Sequence, residues 1–245
     1  MKRMSIITGA LCGLMVLLAA VGSLLGAVRA VATDARLYGE QSRAAVAQML
    51  EDASEDAVTA YIGLNAAQQD GVAAELSQYM AGGETGLSFL NERERQHMAD
   101  VRGMVTAIGS VSRMCLSLAA ALAVAAAWTG ARLRRRMLPR AIGVLAAVGL
   151  VALVAAGAAL VIGSAGFEAA FVRLHELLFD NDLWLLDPQT DILIRMMPQP
   201  LFEQALLRVV SRALRTFALV WAMLLAVEWT VSGMIRRQLD KGEEA

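Results

Sequence analysis

The sequence is poor in charged and aromatic residues. Only 18% of its 245 residues are charged and 5% are aromatic, whereas hydrophobic residues make up 57%. An average soluble domain carries about 25% charged residues, and disordered chains and nucleic-acid-binding tails have much less apolar bulk. The composition therefore argues against disorder and against a nucleic-acid partner.

Cysteine is also scarce, with two residues in the chain. Cys12 and Cys115 both lie inside apolar runs. Their placement argues against a disulfide between them and against a secreted module held together by disulfides.

The apolar residues are clustered in four stretches of about the 20 residues that a membrane helix needs. These stretches are residues 5–28, 114–131, 141–163 and 213–235. A cleaved signal peptide is the alternative for the first, because Ala30-Val31-Ala32 has the form of a cleavage site, but the run is longer than the usual apolar region of such a peptide. We predict an all-α, polytopic membrane protein, with a single integral membrane domain over residues 1–245 and four transmembrane helices.

Charge predicts how these spans are oriented. The short loop 132–140 holds five arginines and no acid, and both chain ends carry basic residues. Segments 29–110 and 164–212 are net acidic, with twelve acids against six arginines in the first and seven against four in the second. By the positive-inside rule, the loop and both termini are cytoplasmic, and the two acidic segments are external.

Both external segments are predicted to be helical. Residues 87–108 have the periodicity of one amphipathic helix, with Glu94 and His97 on its apolar face and Asp100 one turn beyond. The second segment begins with a helix that places His175 on its apolar face. A turn follows, because Asp187-Pro188 should end any helix, and Trp184 suits the headgroup level of a membrane. Pro198 and Pro200 bracket a further turn.

His97 and His175 are the only histidines, and each has carboxylates beside it in an external segment. A histidine on an apolar face is more often a packed core residue than a catalytic one, but a pair with adjacent acids favours acid–base chemistry. The run from His175 to Phe179 begins like a zinc-protease motif but has phenylalanine in place of the second histidine. No nucleophile elbow, phosphate loop or dinucleotide fingerprint is present. We expect no metal and no cofactor, although two histidines and an acid leave a metal site open.

Two blocks of the sequence resemble a known family. Residues 90–102, LNERERQHMADVR, are similar to an E-x-x-H-M-x-D-V-K/R block. Residues 174–202 resemble the block F-H-x-x-F-F-x-N-D-x-W-x-x-x-P-x-x-D-x-L-I-x-x-x-P-E-x-F-F, and Tyr79–Gly82 also looks like that family. The family comprises bacterial four-span integral membrane proteins and includes the lipoprotein intramolecular transacylase. The resemblance covers nearly the whole chain.

The resemblance implies a reaction in the bacterial cytoplasmic membrane, with the active face at the outer leaflet. An acyl chain moves from the glycerol ester of a diacylglyceryl-cysteine to the α-amino group of that cysteine, which gives a lyso-form lipoprotein. The partners would be diacylglyceryl-modified lipoproteins and membrane lipids. We expect His97 and His175 to form the acid–base pair, supported by residues of the two matching blocks: Glu94 or Asp100 orienting His97, Arg102, Asn181 or Trp184 at the oxyanion, and Asp187 and Asp191.

The chain departs from the family at four positions. Leu174 and Leu178 stand where phenylalanine is usual, a change that an apolar setting tolerates. Gln199 stands where the family often has glutamate, and Leu201 where it often has phenylalanine. If that glutamate had a catalytic charge, this chain would lack it, so Gln199 is not counted among the site residues.

Two other interpretations fit the residues. One is a non-enzymatic membrane scaffold or sensor with structural or pH-sensing histidines. The other is a metal-dependent membrane hydrolase. Substitution of the histidines and metal analysis separate these from a transacylase.

Overall fold

The computed structural model describes residues 2–133 and 166–243, and these residues form helices joined by turns, without strands. The all-helical prediction is confirmed over this part of the chain. The predicted third span, 141–163, lies outside the described residues, as does most of the loop 132–140. The described residues divide into two compact units, one of residues 2–27, 110–133 and 210–243, and the other of residues 28–109 and 166–209.

Helices in the described residues are numbered here in chain order. They are α1 (Lys2–Ala32), α2 (Ala35–Tyr38), α3 (Glu40–Met49), α4 (Glu55–Ile62), α5 (Ala66–Ala81), α6 (Glu92–Leu133), α7 (Phe167–Leu178), α8 (Ile192–Met196) and α9 (Gln199–Glu243).

Three of these helices contain segments that are long and apolar enough to cross a membrane: Ala10–Ala32 in α1, Glu92–Trp128 in α6 and Gln199–Ile235 in α9. They include most of the first predicted span and match the second and fourth. In α6 and α9 the helix begins well before the predicted span, because the external amphipathic stretch and the apolar run are continuous.

The first unit packs the apolar faces of α1, α6 and α9 together. Its buried cluster consists of Met15, Val16, Ala19, Ala119, Ala123 and Leu224. Close approach between α1 and α6 depends on small residues. A Cβ atom at Gly22 would lie 2.8 Å from Cγ of Leu116, and one at Gly26 would lie 3.0 Å from Oγ of Ser112. The Ser112 hydroxyl donates to the Gly22 carbonyl at 2.7 Å. This small-residue spacing is the one that lets membrane helices pack backbone to backbone.

The second unit is built from shorter helices around its own core. The buried side chains come from α2, α3, α4, α5, α6 and α8 and from the turn before α6: Tyr38, Val46, Val58, Ile62, Val72, Ala73, Leu76, Met80, Leu87, Leu90, Met98, Val105, Leu193 and Met196. Side chains cap the N-termini of α4 and α5. Ser54 accepts from the Ala57 N–H, and Asn65 forms a capping box with Gln68. Gly63 ends α4 with φ of 81°, a left-handed conformation that glycine adopts without strain.

The helix α6 begins at Glu92, five residues later than the periodicity indicated. Leu87 has a φ of 45° and its side chain is buried in the core, so the chain turns at this point instead of coiling. Asn91 then caps the helix: its side-chain oxygen accepts from the Glu94 N–H at 3.0 Å, and the Glu94 carboxylate accepts from the Asn91 N–H at 2.8 Å. This reciprocal pair satisfies two N–H groups that a helix start leaves without partners.

The last helix begins between the two prolines that were predicted to bracket a turn. α9 begins at Gln199, directly after Pro198, and Pro200 lies in its first turn. Proline is tolerated there because the missing N–H would have no partner within the helix.

Candidate active site

The second unit contains a cavity of about 650 Å³ with a mostly apolar wall. Among its polar lining groups are the two imidazoles, His97 from α6 and His175 from α7. Trp184, from the segment between α7 and α8, also lines it. A concave apolar pocket with a few convergent polar groups is the usual form of a small-molecule site. Three of the residues singled out from the sequence therefore meet in one place.

The two histidines are neighbours in the cavity wall. Their ring centroids are 6.1 Å apart and their ring planes are inclined by 36°. They are 78 positions apart in the sequence, so only packing of α7 near α6 brings them together. Phe179 touches both, with its ring centroid 5.3 Å from that of His97 and 5.6 Å from that of His175. The pair is thus bridged by one aromatic ring.

His175 is held on several sides. Its Nδ1 atom lies 2.8 Å from the carbonyl oxygen of Phe171, one helical turn earlier. The Phe171 ring lies 4.0 Å away and the Trp184 ring 5.1 Å away, measured between centroids. Burial in this apolar surrounding lowers the pKa of His175 below its usual value, and the hydrogen bond to the Phe171 carbonyl offsets part of this. His175 is therefore neutral near pH 7 and able to accept a proton.

His97 is more deeply buried, with 7% of its surface exposed. Its Nδ1 atom has no hydrogen-bond partner within the described part of the chain. A buried polar atom without a partner is uncommon in folded proteins, and a catalytic role is one of its explanations.

Glu94 lies one turn before His97, but its carboxylate is engaged elsewhere. One oxygen accepts from the Leu193 N–H at 2.7 Å and the other from the Asn91 N–H at 2.8 Å. The side chain is 1% exposed. Among the described residues, no hydrogen bond between Glu94 and His97 supports the expected orienting role. Glu94 instead joins α6 to the start of α8.

Asp191 continues this network from the other side. Its carboxylate accepts from the Asn91 side chain at 2.7 Å, from the Asp187 N–H at 2.8 Å and from the Thr190 hydroxyl at 3.0 Å. Burial alone would raise the pKa of Asp191, but these hydrogen bonds and the charge of Arg93 together lower it. Asp187 itself caps a turn, where its carboxylate accepts from the Gln189 N–H at 2.9 Å. Both aspartates thus organise the segment that carries Trp184.

Asp100 and Asn181 form a second link between α6 and this segment. The Asn181 side chain donates to the Asp100 carboxylate at 3.0 Å and accepts from the Leu183 N–H at 3.0 Å. Both residues are exposed and neither lines the cavity. No hydrogen bond between Asp100 and His97 is found among the described residues.

Arg102 does not line the cavity either. Its guanidinium lies 4.5 Å from the centre of the Tyr79 ring and donates to the Gly82 carbonyl at 3.0 Å. These contacts hold the end of α5 against α6. An oxyanion role for Arg102, which the sequence left open, has no support in this position.

A family model described as lipoprotein intramolecular transacylase Lit matches residues 13–202 of the chain. The chain belongs to the Lit family. The match covers most of the first predicted span, both blocks with their histidines and all of the described second unit except residues 203–209. The chain is accordingly a membrane-integral enzyme of the lipoprotein intramolecular transacylase kind, as the two blocks implied.

Solved structures of a Lit protein have the same fold. The structure of membrane-integral Lit from Bacillus cereus is 21% identical and aligns over 89% of this chain and 96% of that one, with a TM-score of 0.58. A variant of the same protein with a histidine replaced by arginine is 20% identical over 92% and 96%, with a TM-score of 0.60. A variant with a histidine replaced by alanine is 21% identical and aligns over 90% of this chain and 95% of that one, with a TM-score of 0.58. No curated protein sequence is significantly similar to the chain.

Several cavity residues of this Lit-family chain were not predicted as site residues from the sequence. Phe171 was predicted only as an apolar position, and Phe179 only as the residue in place of a zinc-protease histidine and as a match in the second family block. Tyr38 lines the cavity from α2 and donates to the Ala32 carbonyl at 2.6 Å, and burial raises the pKa of its hydroxyl. Gln199, the departure from the family, also lines the cavity and donates to the Glu203 carboxylate at 2.8 Å. Periodicity placed Phe171 on the apolar face that carries His175, but nothing local indicated Tyr38.

Proposed function

We propose that the chain transfers an acyl chain within a diacylglyceryl-modified lipoprotein, from the glycerol sn-2 oxygen to the α-amino group of the same cysteine. The product is an N-acyl, monoacylglyceryl lipoprotein. The observation that carries this proposal is the pair of imidazoles, 6.1 Å apart between centroids, in the wall of a cavity that is otherwise mostly apolar. The apolar lining suits acyl chains, and the imidazoles supply the proton transfers that the reaction needs.

In the proposed reaction, one proton leaves the amine and one is returned to the glycerol oxygen. An α-amino group has a pKa of about 7.7–8.0, so a substantial fraction is protonated near neutral pH. After deprotonation the amine attacks the ester carbonyl, and a C–N bond forms. When the tetrahedral intermediate collapses, the C–O bond to glycerol breaks and the amide remains. One imidazole takes the amine proton and an imidazolium returns a proton to the glycerol oxygen, so no external nucleophile or nucleotide is consumed.

His97 and His175 would contribute to the rate by proton transfer. General acid–base help contributes about 10²- to 10⁴-fold. The amine and the ester already belong to one molecule, so the enzyme gains only the orientation part of the up to about 7–11 kcal/mol that proximity and orientation together supply between separate reactants. Glu94, Asp187 and Asp191 act at a distance in this scheme, by holding α6, α8 and the segment with Trp184 together. Asp100 and Asn181 do the same from the exposed side.

We also propose the topology that the charges indicate: one integral membrane domain over residues 1–245, four spans, both termini in the cytoplasm and the histidines facing the outer leaflet. Membrane lipids and diacylglyceryl lipoproteins reach the cavity from that side. Reporter fusions after residues 80, 137 and 190 test this directly, because only the middle fusion should be cytoplasmic.

The decisive experiment expresses the chain in a bacterium that lacks other lipoprotein N-acylation. Mass spectrometry of the terminal lipopeptide should show the N-acyl lyso form. His97→Ala and His175→Ala should each leave the diacyl form. Gln69→Ala is the matched control, because Gln69 is a buried polar residue of α5 that does not line the cavity. Diacyl lipoprotein from a well-expressed wild-type chain would overturn the function, and full activity of either histidine variant would overturn the site.

The same samples separate the alternatives. A metal-dependent hydrolase would release free fatty acid without N-acylation and would lose activity on chelation. A scaffold or sensor would give no lipid product at all, and its histidine variants would alter stability or pH response only.

A further inference from the structure

We propose that Phe171 and Trp184 are positioning residues that hold His175 as the Nδ1–H tautomer, so that Nε2 is the atom that exchanges protons with the substrate. This inference rests on the proposed function for its catalytic consequence, but its structural content is independent of turnover. It names a residue, Phe171, that neither the motifs nor the acid–base pair had singled out.

The first observation is the hydrogen bond between His175 Nδ1 and the Phe171 carbonyl, at 2.8 Å. A backbone carbonyl can only accept, so Nδ1 must be the donor and must carry the proton. In a neutral imidazole the proton on one nitrogen leaves a lone pair on the other. His175 therefore presents Nε2 as an acceptor whenever the ring is neutral.

The second observation is the packing of aromatic rings around the same imidazole. The Phe171 ring lies 4.0 Å from it and the Trp184 ring 5.1 Å, between centroids. The two rings come from different segments, Phe171 from α7 itself and Trp184 from beyond its end. Turning the imidazole about its Cβ–Cγ bond would exchange the positions of Nδ1 and the ring carbon, and these neighbours oppose that rotation.

Phe171 takes part in both the hydrogen bond and the ring packing. Phe171 supplies its carbonyl as the acceptor and its side chain as a packing surface, because residues four apart lie on one face of a helix. Trp184 closes the arrangement from outside the helix. His97 lacks a comparable arrangement: its Nδ1 has no partner among the described residues. The structure thus distinguishes the two histidines, which sequence spacing alone did not.

The direct test is nuclear magnetic resonance of detergent-solubilised full-length protein labelled with ¹⁵N-histidine, without substrate. The chain has two histidines, so His97→Asn leaves one signal pair and assigns His175. The expected result at neutral pH is a protonated Nδ1 and a bare Nε2. A dominant Nε2–H tautomer, or a free mixture of the two, would overturn the proposal.

Side-chain variants test the ring contacts. Phe171→Leu and Trp184→Leu should each lower the Nδ1–H fraction and reduce kcat about 10- to 100-fold, with KM changed less, because the proton-transfer atom is misplaced. Trp184→Phe keeps an aromatic face and should retain most of both readouts. Phe89→Leu is the matched control: Phe89 is a partly buried phenylalanine of the same unit that does not line the cavity.

The outcomes are distinguishable from those of the proposed function. If the wild-type chain shows the Nδ1–H tautomer but makes no N-acyl product, the function fails and the positioning stands. If the leucine variants only reduce the yield of folded protein, with tautomer and kcat as in wild type, the positioning role is wrong while the function is unaffected.

Discussion

A carboxylate oxygen of Glu94 accepts a hydrogen bond from the backbone N–H of Leu193 at 2.7 Å, between residues 99 positions apart in sequence. The bond joins the first turn of α6 to the first turn of α8. Because His97 lies one turn further along α6, the same bond fixes the helix that carries His97 relative to α8, which follows the segment that carries Trp184. The two family blocks are thus connected by their own residues.

Glu94→Ala should destabilise the protein by about 2–4 kcal/mol, because two N–H groups lose their acceptor and at least one of them stays buried. Glu94→Gln should cost less, since its amide oxygen can still accept one of the two bonds. Thermal unfolding in detergent measures both. Glu92→Gln is the control, because Glu92 lies in the same turn but is exposed. Equal unfolding temperatures for Glu94→Ala and wild type would contradict a stabilising role for the two hydrogen bonds of Glu94.

Gly22→Val should lower the free energy of unfolding by about 1–3 kcal/mol, the usual range for overpacking. A Cβ atom there would lie 2.8 Å from Cγ of Leu116 and 3.2 Å from Cβ of Cys115, so the Leu116 side chain or the two helices would have to shift. Gly13→Val provides the comparison, because a Cβ at Gly13 meets nothing within 4 Å. Unfolding curves of the two variants should differ, and similar curves would show that α1 and α6 tolerate separation at Gly22.

The imidazole of His175 should titrate below pH 6.5, the usual histidine value, because burial lowers its pKa. The unfolded chain then binds the proton more readily than the folded one, so stability conferred by the neutral ring is complete above about pH 6.5 and declines as the pH falls below it. Imidazole shifts of the His97→Asn variant give the midpoint. A midpoint at or above the usual value would show that the aromatic surrounding does not disfavour the charged ring.

Arg102→Ala should lower stability by about 1 kcal/mol, from loss of the contact with the Tyr79 ring and the hydrogen bond to Gly82. Because Arg102 does not line the cavity, kcat should change little. Arg102→Lys keeps the charge and should retain part of the stability. A fall in kcat of about a hundredfold in a folded Arg102→Ala chain would instead support the oxyanion role.

Much of the molecule could be predicted from local patterns. Run length and composition predicted the apolar segments of α1, α6 and α9, and periodicity placed His97 and His175 on apolar helix faces. The start of α6 was predicted too early, because the buried, left-handed Leu87 and the Asn91 cap are decided by packing and side-chain hydrogen bonding that periodicity does not contain. The start of α9 at Gln199 was missed because two prolines also fit a helix start.

The supporting residues were harder to assign. Asp100 lies three positions after His97, a spacing that lets side chains meet on a helix, yet its carboxylate accepts from Asn181, which arrives from another segment. Arg102 likewise contacts the Tyr79 ring and the Gly82 carbonyl and does not line the cavity. A charged side chain has several possible partners within reach, and the choice depends on which distant segments pack against its helix.

The sequence by itself determined the class of the molecule, the apolar helices and the two histidine blocks, because hydrophobic run length, helical period and motif spacing are properties of neighbouring residues. Only the tertiary structure decided that the two imidazoles share one cavity wall, that Glu94 binds Leu193 and not His97, and that the Trp184 ring completes the packing around His175. These contacts join segments from about 10 to 100 residues apart, and their geometry follows from the packing of a whole unit rather than from any local pattern.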